Sequence, residues 1–520
     1  MPRACSATKE FPMFESAALG RTYSDKEFEQ RAPALRLRLF NAQRQCLERR
    51  IPILIIVAGL EGSGRGDIVN MLSEWMDSKR VRNHIFWLPT DEERTRPRAW
   101  RFWRCLPPAG ETGVFYDGWY SDDLRRLCCG KLDDDGFSKH MHQWCALESE
   151  LADAGMGIVK LWLHLDKKTH AANVKKRLNS KGLLHFSPYD KKTAADYEGM
   201  VNAASRAITI TDRDNAPWSI IDAADPNFRV LSVASAIIGG MERALAAHDA
   251  RDARLKQLAS LETEAASETP DGGDETLIST LDAIDLSVSR QPERYKKELK
   301  TLQESIRTLS YRTYRRGISS TLIFEGWDAA GKGGSIRRIT SAVDARITRV
   351  IPISAPTDEE LAHPYLWRFW RHIPRSGFVT IYDRSWYGRV LVERVEKLTP
   401  REDWSRAYAE INEFENQLTS HNNILLKFWL HISPEEQLRR FHERENIAWK
   451  QYKITPEDWR NREKWADYAR AADEMFLRTS AVNAPWHIIP AENKKYGRLA
   501  VLRAYEAALR AALRRKDKEE

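Results

Sequence analysis

The sequence predicts an α/β protein built from two successive copies of one parallel-sheet unit. Three observations predict it. Short apolar runs alternate with helical segments in each half, the mark of parallel strands joined by helical crossovers. The halves repeat each other at a nearly fixed offset. In each half the first apolar run feeds a Gly-rich turn.

The repeat is explicit. Gly59 and Gly326 are separated by 326 − 59 = 267 positions. Pro89-Thr90-Asp91-Glu92-Glu93 matches Pro356-Thr357-Asp358-Glu359-Glu360 at the same offset. So does Trp100-Arg101-Phe102-Trp103-Arg104 with Trp367-Arg368-Phe369-Trp370-Arg371. Asn215-Ala216-Pro217-Trp218 matches Asn483-Ala484-Pro485-Trp486, now offset by 268. The reading is a lead-in over 1–30, a first domain over 31–255, a linker over 256–280 and a second domain over 281–520. The linker is assigned because Glu262 to Asp274 is small, acidic and Gly/Pro-containing, a composition that buries no core and reads as a flexible tether.

The second half gives the clearest element order. Residues 295–315 have helical spacing. A strand over 321–325 leads into the Gly-rich turn and a helix over about 334–343. A short strand at 350–353, a helix over 359–371 and a strand at 378–382 follow. Next come a helix at 403–419, a strand at 424–430, and a helix at 434–443 with Pro434 in its first turn. A last strand, 486–489, precedes a last helix, 498–513. Between about 443 and 483 the pattern stays helical but breaks the strand rhythm. It is rich in Arg and Lys and reads as a lid, with Arg440 and Arg444 one turn apart on one face. The Trp367-Phe369-Trp370 cluster reads as core packing, because both copies keep it. The Pro-Thr-Asp-Glu-Glu stretches read as loops that start a helix, with Thr or Asp as cap.

The chemistry lies in the turn Gly326-Trp327-Asp328-Ala329-Ala330-Gly331-Lys332-Gly333-Gly334. This is the P-loop pattern, in which Gly326, Ala329, Ala330, Gly331, Gly333 and Gly334 wrap backbone N–H groups around phosphate. The following helix points its positive end at the same anion. Lys332 supplies a compact charge for phosphoryl transfer. The usual metal-ligating Ser/Thr is Gly333 here, and a carboxylate, Asp328, sits inside the loop. A carboxylate among phosphates makes sense beside a magnesium ion. Asp383, at the end of an apolar strand, is the second expected metal carboxylate, and the adjacent Arg384 faces the transferred group. Glu393 is a further candidate for the same metal. In the first half Lys332 becomes Arg65 and Asp328 becomes Glu61. The segment Tyr116-Asp117-Gly118-Trp119-Tyr120 reads as keeping the aspartate while losing the Arg-Ser pair. Arginine fits poorly in a site built for an ammonium. The second half therefore reads as the working one, and the first as a structural or regulatory partner.

Bulk properties set limits. The 520 residues leave room for two cored domains, and 82 Lys+Arg against 74 Asp+Glu give +8. No long basic tract marks a nucleic-acid partner, and a pocket for a polyanion explains the excess. The six cysteines lie in the first half without a C-x-x-C pair, which fits reduced thiols in the cytoplasm better than zinc or disulfides. The apolar run 51–60 is too short to span a bilayer, so no membrane role is expected. The N-terminus opens no signal peptide.

The P-loop stretch, Tyr382-Asp383-Arg384-Ser385-Trp386-Tyr387-Gly388-Arg389 and Asn483-Ala484-Pro485-Trp486 together resemble the signatures of the type 2 polyphosphate kinases. The resemblance covers the whole second half and, more loosely, the first. It implies tandem P-loop kinase-like domains of the thymidylate-kinase type, three-layered, with parallel sheets and a helical lid. It implies Mg2+ as cofactor and inorganic polyphosphate as a substrate. Asp328, Lys332, Asp383 and Arg384 carry over as metal and phosphate residues, and Arg439, Arg444 and Lys450 as lid residues. Fused two-domain members resemble the polyphosphate:AMP phosphotransferases, so the tandem arrangement implies AMP as acceptor and ADP as product. A polyphosphate-dependent nucleoside diphosphate kinase is the nearest rival. An ATP-dependent kinase, a nucleotide- or polyphosphate-binding scaffold and a nucleic-acid binder are the others. Homo-oligomerisation is left open.

Overall fold

The computed structural model describes residues 12–15, 17, 19–179, 191–267, 279–289, 292–447, 454 and 456–519. The chain forms two units. One comprises Met1–Thr90, Arg101–Ser267 and Thr357–Trp367, the other Asp91–Trp100, Glu268–Pro356 and Arg368–Glu520. Each unit thus includes a short segment that lies in the other repeat along the sequence.

The first unit holds five parallel strands, β1 (Ile53–Gly59), β2 (Val81–Ile85), β3 (Thr112–Tyr116), β4 (Gly157–His164) and β5 (Trp218–Asp222), in the order β2-β3-β1-β4-β5. The second repeats this plan with β6 (Ser319–Gly326), β7 (Thr348–Pro352), β8 (Val379–Asp383), β9 (Asn423–His431) and β10 (Trp486–Pro490), in the order β7-β8-β6-β9-β10. The strands that feed the Gly-rich turns, β1 and β6, are central. Every residue of β1, β4 and β9 is buried. That is why these strands read as continuous apolar runs and not as alternating ones.

A buried lysine recurs in both cores. Lys427 donates to Glu415 Oε2 at 2.7 Å and to the Thr479 carbonyl at 2.6 Å. Lys160 makes the same pair with Glu148 at 2.7 Å and Thr211 at 2.6 Å. Trp386 and Trp119 donate to these glutamates at 3.0 and 3.1 Å. Saturated bonding is what makes a buried charge tolerable.

Several expectations change. The helix expected over 359–371 is two single turns, Asp358–Leu361 and Trp367–Trp370. Pro364 lies between them and disfavours helix at the residue before it. Thr357 caps the first turn in a capping box with Glu360, as the sequence predicts. The flexible tether is helical in its first part, because the helix from Pro226 runs on to Ser267. Its Leu, Glu, Ala and Gln residues are good helix formers. The rest of it, 268–278, lies outside the described residues. The lead-in contains the start of a long helix, Asp25–Glu48, with a Ser24–Glu27 capping box. The stretch Pro226–Leu258 is long and apolar enough to cross a membrane by length and composition. It packs on β4, β5 and the Asp25–Glu48 helix of its own unit.

Candidate active site

β6 ends at Gly326, whose φ of 125° and backbone crowding require glycine. A Cβ there would stand 2.4 Å from the Leu430 carbonyl oxygen. The chain then turns through Ala329, itself at φ 63°, to Gly331 at φ 111°, which opens the Lys332–Thr340 helix. The amino end of that helix lines a cleft of about 730 Å³ with Asp328, Asp383 and Arg384. Eight Lys and Arg side chains and five Asp and Glu line it, so the cleft suits a polyanion.

Of the predicted residues that the structure describes, all but Arg439 and Glu393 come together here. Lys332 Nζ donates to the Gly326 and Trp327 carbonyls at 2.6 and 3.2 Å and stands 4.0 Å from Asp328. Arg384, half exposed, reaches Asp328 at 3.3 Å. Burial raises the Asp328 carboxyl, but Lys332, Arg384, Asn461 and Arg444 more than offset that and hold it below the ordinary range. Asp328 is thus kept as an anion. Arg444 lines the cleft, whereas Arg439 does not line it and pairs with Glu436 at 2.6 Å and Glu443 at 3.7 Å. Glu393 also stays out of the cleft lining and bonds Arg389 at 3.0 Å and Thr399 at 2.8 Å. Lys450 lies outside the described residues.

Two site residues, Asn461 and Trp465, escaped the sequence reading, and a third, Arg440, was placed only by its helical spacing. Asn461, on the helix Pro456–Glu463, donates to Asp328 Oδ2 at 3.0 Å. Trp465 stacks on Trp327 with centroids 3.6 Å apart and planes 10° from parallel. Arg440, 2% exposed, donates to the Ala329 and Ala330 carbonyls, both at 3.0 Å, and to those of Ala491 and Glu492 at 2.7 and 2.8 Å. It fixes the peptides of the loop. Its spacing of four from Arg444 was the available signal. Asn461 carries no local pattern that marks it. A hydrogen bond to a charged group is worth about 1.5–3 kcal/mol, so Asn461→Ala is expected to lower kcat/KM by about tenfold or more in steady-state assays.

The first unit carries the same turn with its charges closed on themselves. Its strand pairing corrects the sequence alignment: Val57↔Tyr116 corresponds to Phe324↔Asp383, since 324 − 57 and 383 − 116 are both 267. Tyr116 therefore occupies the place of Asp383, and Asp117 that of Arg384. Asp117 and Arg384 share the left-handed conformation, φ 68° and 64°. Arg65 pairs directly with Asp117 and, at 2.9 Å, with Glu61, which Arg177 also holds at 2.6 Å. This unit carries Tyr116 at the strand end where the second carries Asp383.

Fold and site together define a phosphotransferase of the P-loop kinase-like α/β class. A family model described as polyphosphate kinase 2 matches residues 22–249 and again 289–517. The chain belongs to the polyphosphate kinase 2 family. It is 41% identical over 518 residues to a polyphosphate:AMP phosphotransferase of Pseudomonas aeruginosa, covering 97% of this chain and 100% of that one. It is 42% identical over 513 residues to a protein of the same name from Pseudomonas syringae pv. tomato, covering 98% and 100%. A crystal structure of a polyphosphate kinase 2 from Pseudomonas aeruginosa PA01 superposes with a TM-score of 0.84 at 40% identity, covering 96% of this chain and 99% of that one.

Proposed function

We propose that this protein moves the terminal phosphoryl group of inorganic polyphosphate to AMP, giving ADP, in the cleft of its second unit. The observation that carries the reading is the full-length similarity to relatives named polyphosphate:AMP phosphotransferase, joined to a cationic cleft around an intact phosphate loop. The polyphosphate chain end lies along the cationic cleft. An α-phosphate oxygen of AMP attacks the terminal phosphorus in line, and the bond to the shortened chain breaks. That oxygen is already anionic near neutral pH, so no strong base is needed. Lys332, Arg384 and Arg444 stabilise the charge spread over the transferring group.

Among the described residues no cluster of three or more His, Cys, Asp and Glu side chains is placed to hold a metal alone. Two carboxylates in one cleft, Asp328 and Asp383, fit an ion that completes its shell with water and substrate phosphates, as magnesium does. Bound there, it would neutralise charge between donor and acceptor oxygens.

The test is nucleotide chromatography after mixing protein, magnesium, polyphosphate and either AMP or ADP. ADP formed from AMP, and lost on adding a chelator, supports the reading. ATP formed from ADP alone favours a diphosphate kinase. That alternative rests on a Rhizobium meliloti relative named ADP-polyphosphate phosphotransferase 3, 42% identical over 217 residues, 42% of this chain and 76% of that one.

A further inference from the structure

The duplication separates contacts that keep the fold from contacts that serve the site. The Lys427–Glu415 network occurs in both units, so it belongs to the fold. Another buried polar contact occurs in only one. Ser385 Oγ donates to Glu325 Oε1 at 2.7 Å, with Glu325 6% and Ser385 2% exposed. The corresponding positions in the first unit are 325 − 267 = 58 and 385 − 267 = 118, occupied by Ala58 and Gly118. The equivalent strands pair there in the same register without either group. The sheet therefore does not need this contact, and burying a carboxylate costs free energy.

The reason lies in the turn after β8. Arg384 is a non-glycine residue at φ 64°, a conformation that costs about 1–3 kcal/mol and persists only where neighbours enforce it. In the first unit Asp117 takes the same conformation with its side chain paired to Arg65, but the next residue, Gly118, is also left-handed at φ 57°, whereas Ser385 is extended at φ −154°. In the second unit the side chain at this position is needed in the cleft, where Arg384 faces Asp328. The hold passes to the next residue, Ser385, and through it to the end of the P-loop strand.

We infer that Glu325, acting through Ser385, is a positioning residue that ties the Asp383-Arg384 turn to the P-loop strand and leaves the Arg384 side chain for the transferring phosphate. This rests on the site reading above. Both parents of the contact are replaced in the copy that lacks Asp383 and Arg384, and both are present in the copy that has them.

A double-mutant cycle tests it, with AMP-to-ADP transfer assayed below the unfolding midpoint of every variant. Glu325→Ala and Ser385→Ala are each expected to lower kcat about tenfold with little change in KM for polyphosphate, the double variant losing no more than either single. Glu325→Gln keeps an acceptor oxygen and is expected to stay within about threefold of the wild type. Additive losses, no loss in either single variant, or a Gln variant as poor as Ala would overturn the inference. Lys332→Ala is run alongside. Full activity in that variant sinks the site assignment itself, whereas its loss together with an additive cycle sinks only the tie.

Discussion

Lys332→Ala is expected to abolish transfer, with kcat/KM falling by about a hundredfold to a thousandfold or more, and Asp383→Asn to do the same. Lys332 is the one loop side chain whose ammonium sits among the turn carbonyls and within 4.0 Å of Asp328. Removing it takes a charge from a cleft where charge on the transferring group is the main thing to stabilise. It also strips Asp328 of the strongest of the charges that keep it ionised. Asp383→Asn keeps shape and removes the anion, so its effect reads the carboxylate alone. Both variants are expected to unfold at nearly the wild-type temperature, because neither residue is part of the buried Lys427–Glu415 network. Transfer rates from AMP, measured with circular dichroism melts on the same samples, check this. Wild-type-like turnover in Lys332→Ala would refute the assignment.

The sequence carried the parallel-sheet class because central strands buried on both faces leave continuous apolar runs. It carried the P-loop because Gly326 and Gly331, both at positive φ, meet local backbone demands and Lys332 follows them at a fixed spacing. Contacts that depend on distant chain were not legible. Asn461 meets Asp328 across 133 positions, and nothing near it in sequence announces that. Arg440 shows the intermediate case, since its helical spacing placed it on the face of Arg444 but not its burial against the loop carbonyls. The alignment at Asp117 failed for a physical reason. Matching like with like put aspartate on aspartate, whereas backbone pairing fixes the register one residue away and turns an apparent retention into a charge reversal.

Arg65→Ala is expected to leave transfer per folded molecule nearly unchanged while lowering stability by about 3–5 kcal/mol. The side chains of Arg65, Glu61 and Asp117 are 2%, 7% and 3% exposed. Removing the guanidinium leaves Asp117 buried without its ion-pair partner, while Glu61 keeps Arg177. Burial already pushes the Asp117 carboxyl up to about 6 from 3.8, with Arg65 opposing the rise. Without Arg65 the folded value moves higher. A carboxyl whose folded pKa exceeds its unfolded one binds more protons when folded, so stability falls as pH rises from the unfolded value through the folded one. The penalty in Arg65→Ala is therefore expected to be larger at pH 8 than at pH 5, and urea melts at both pH values read it directly. The same variant separates two roles for the first unit. Lost stability with intact transfer identifies its closed charge cluster as structural. A large loss of transfer in molecules shown to be folded would make that unit a participant in the reaction.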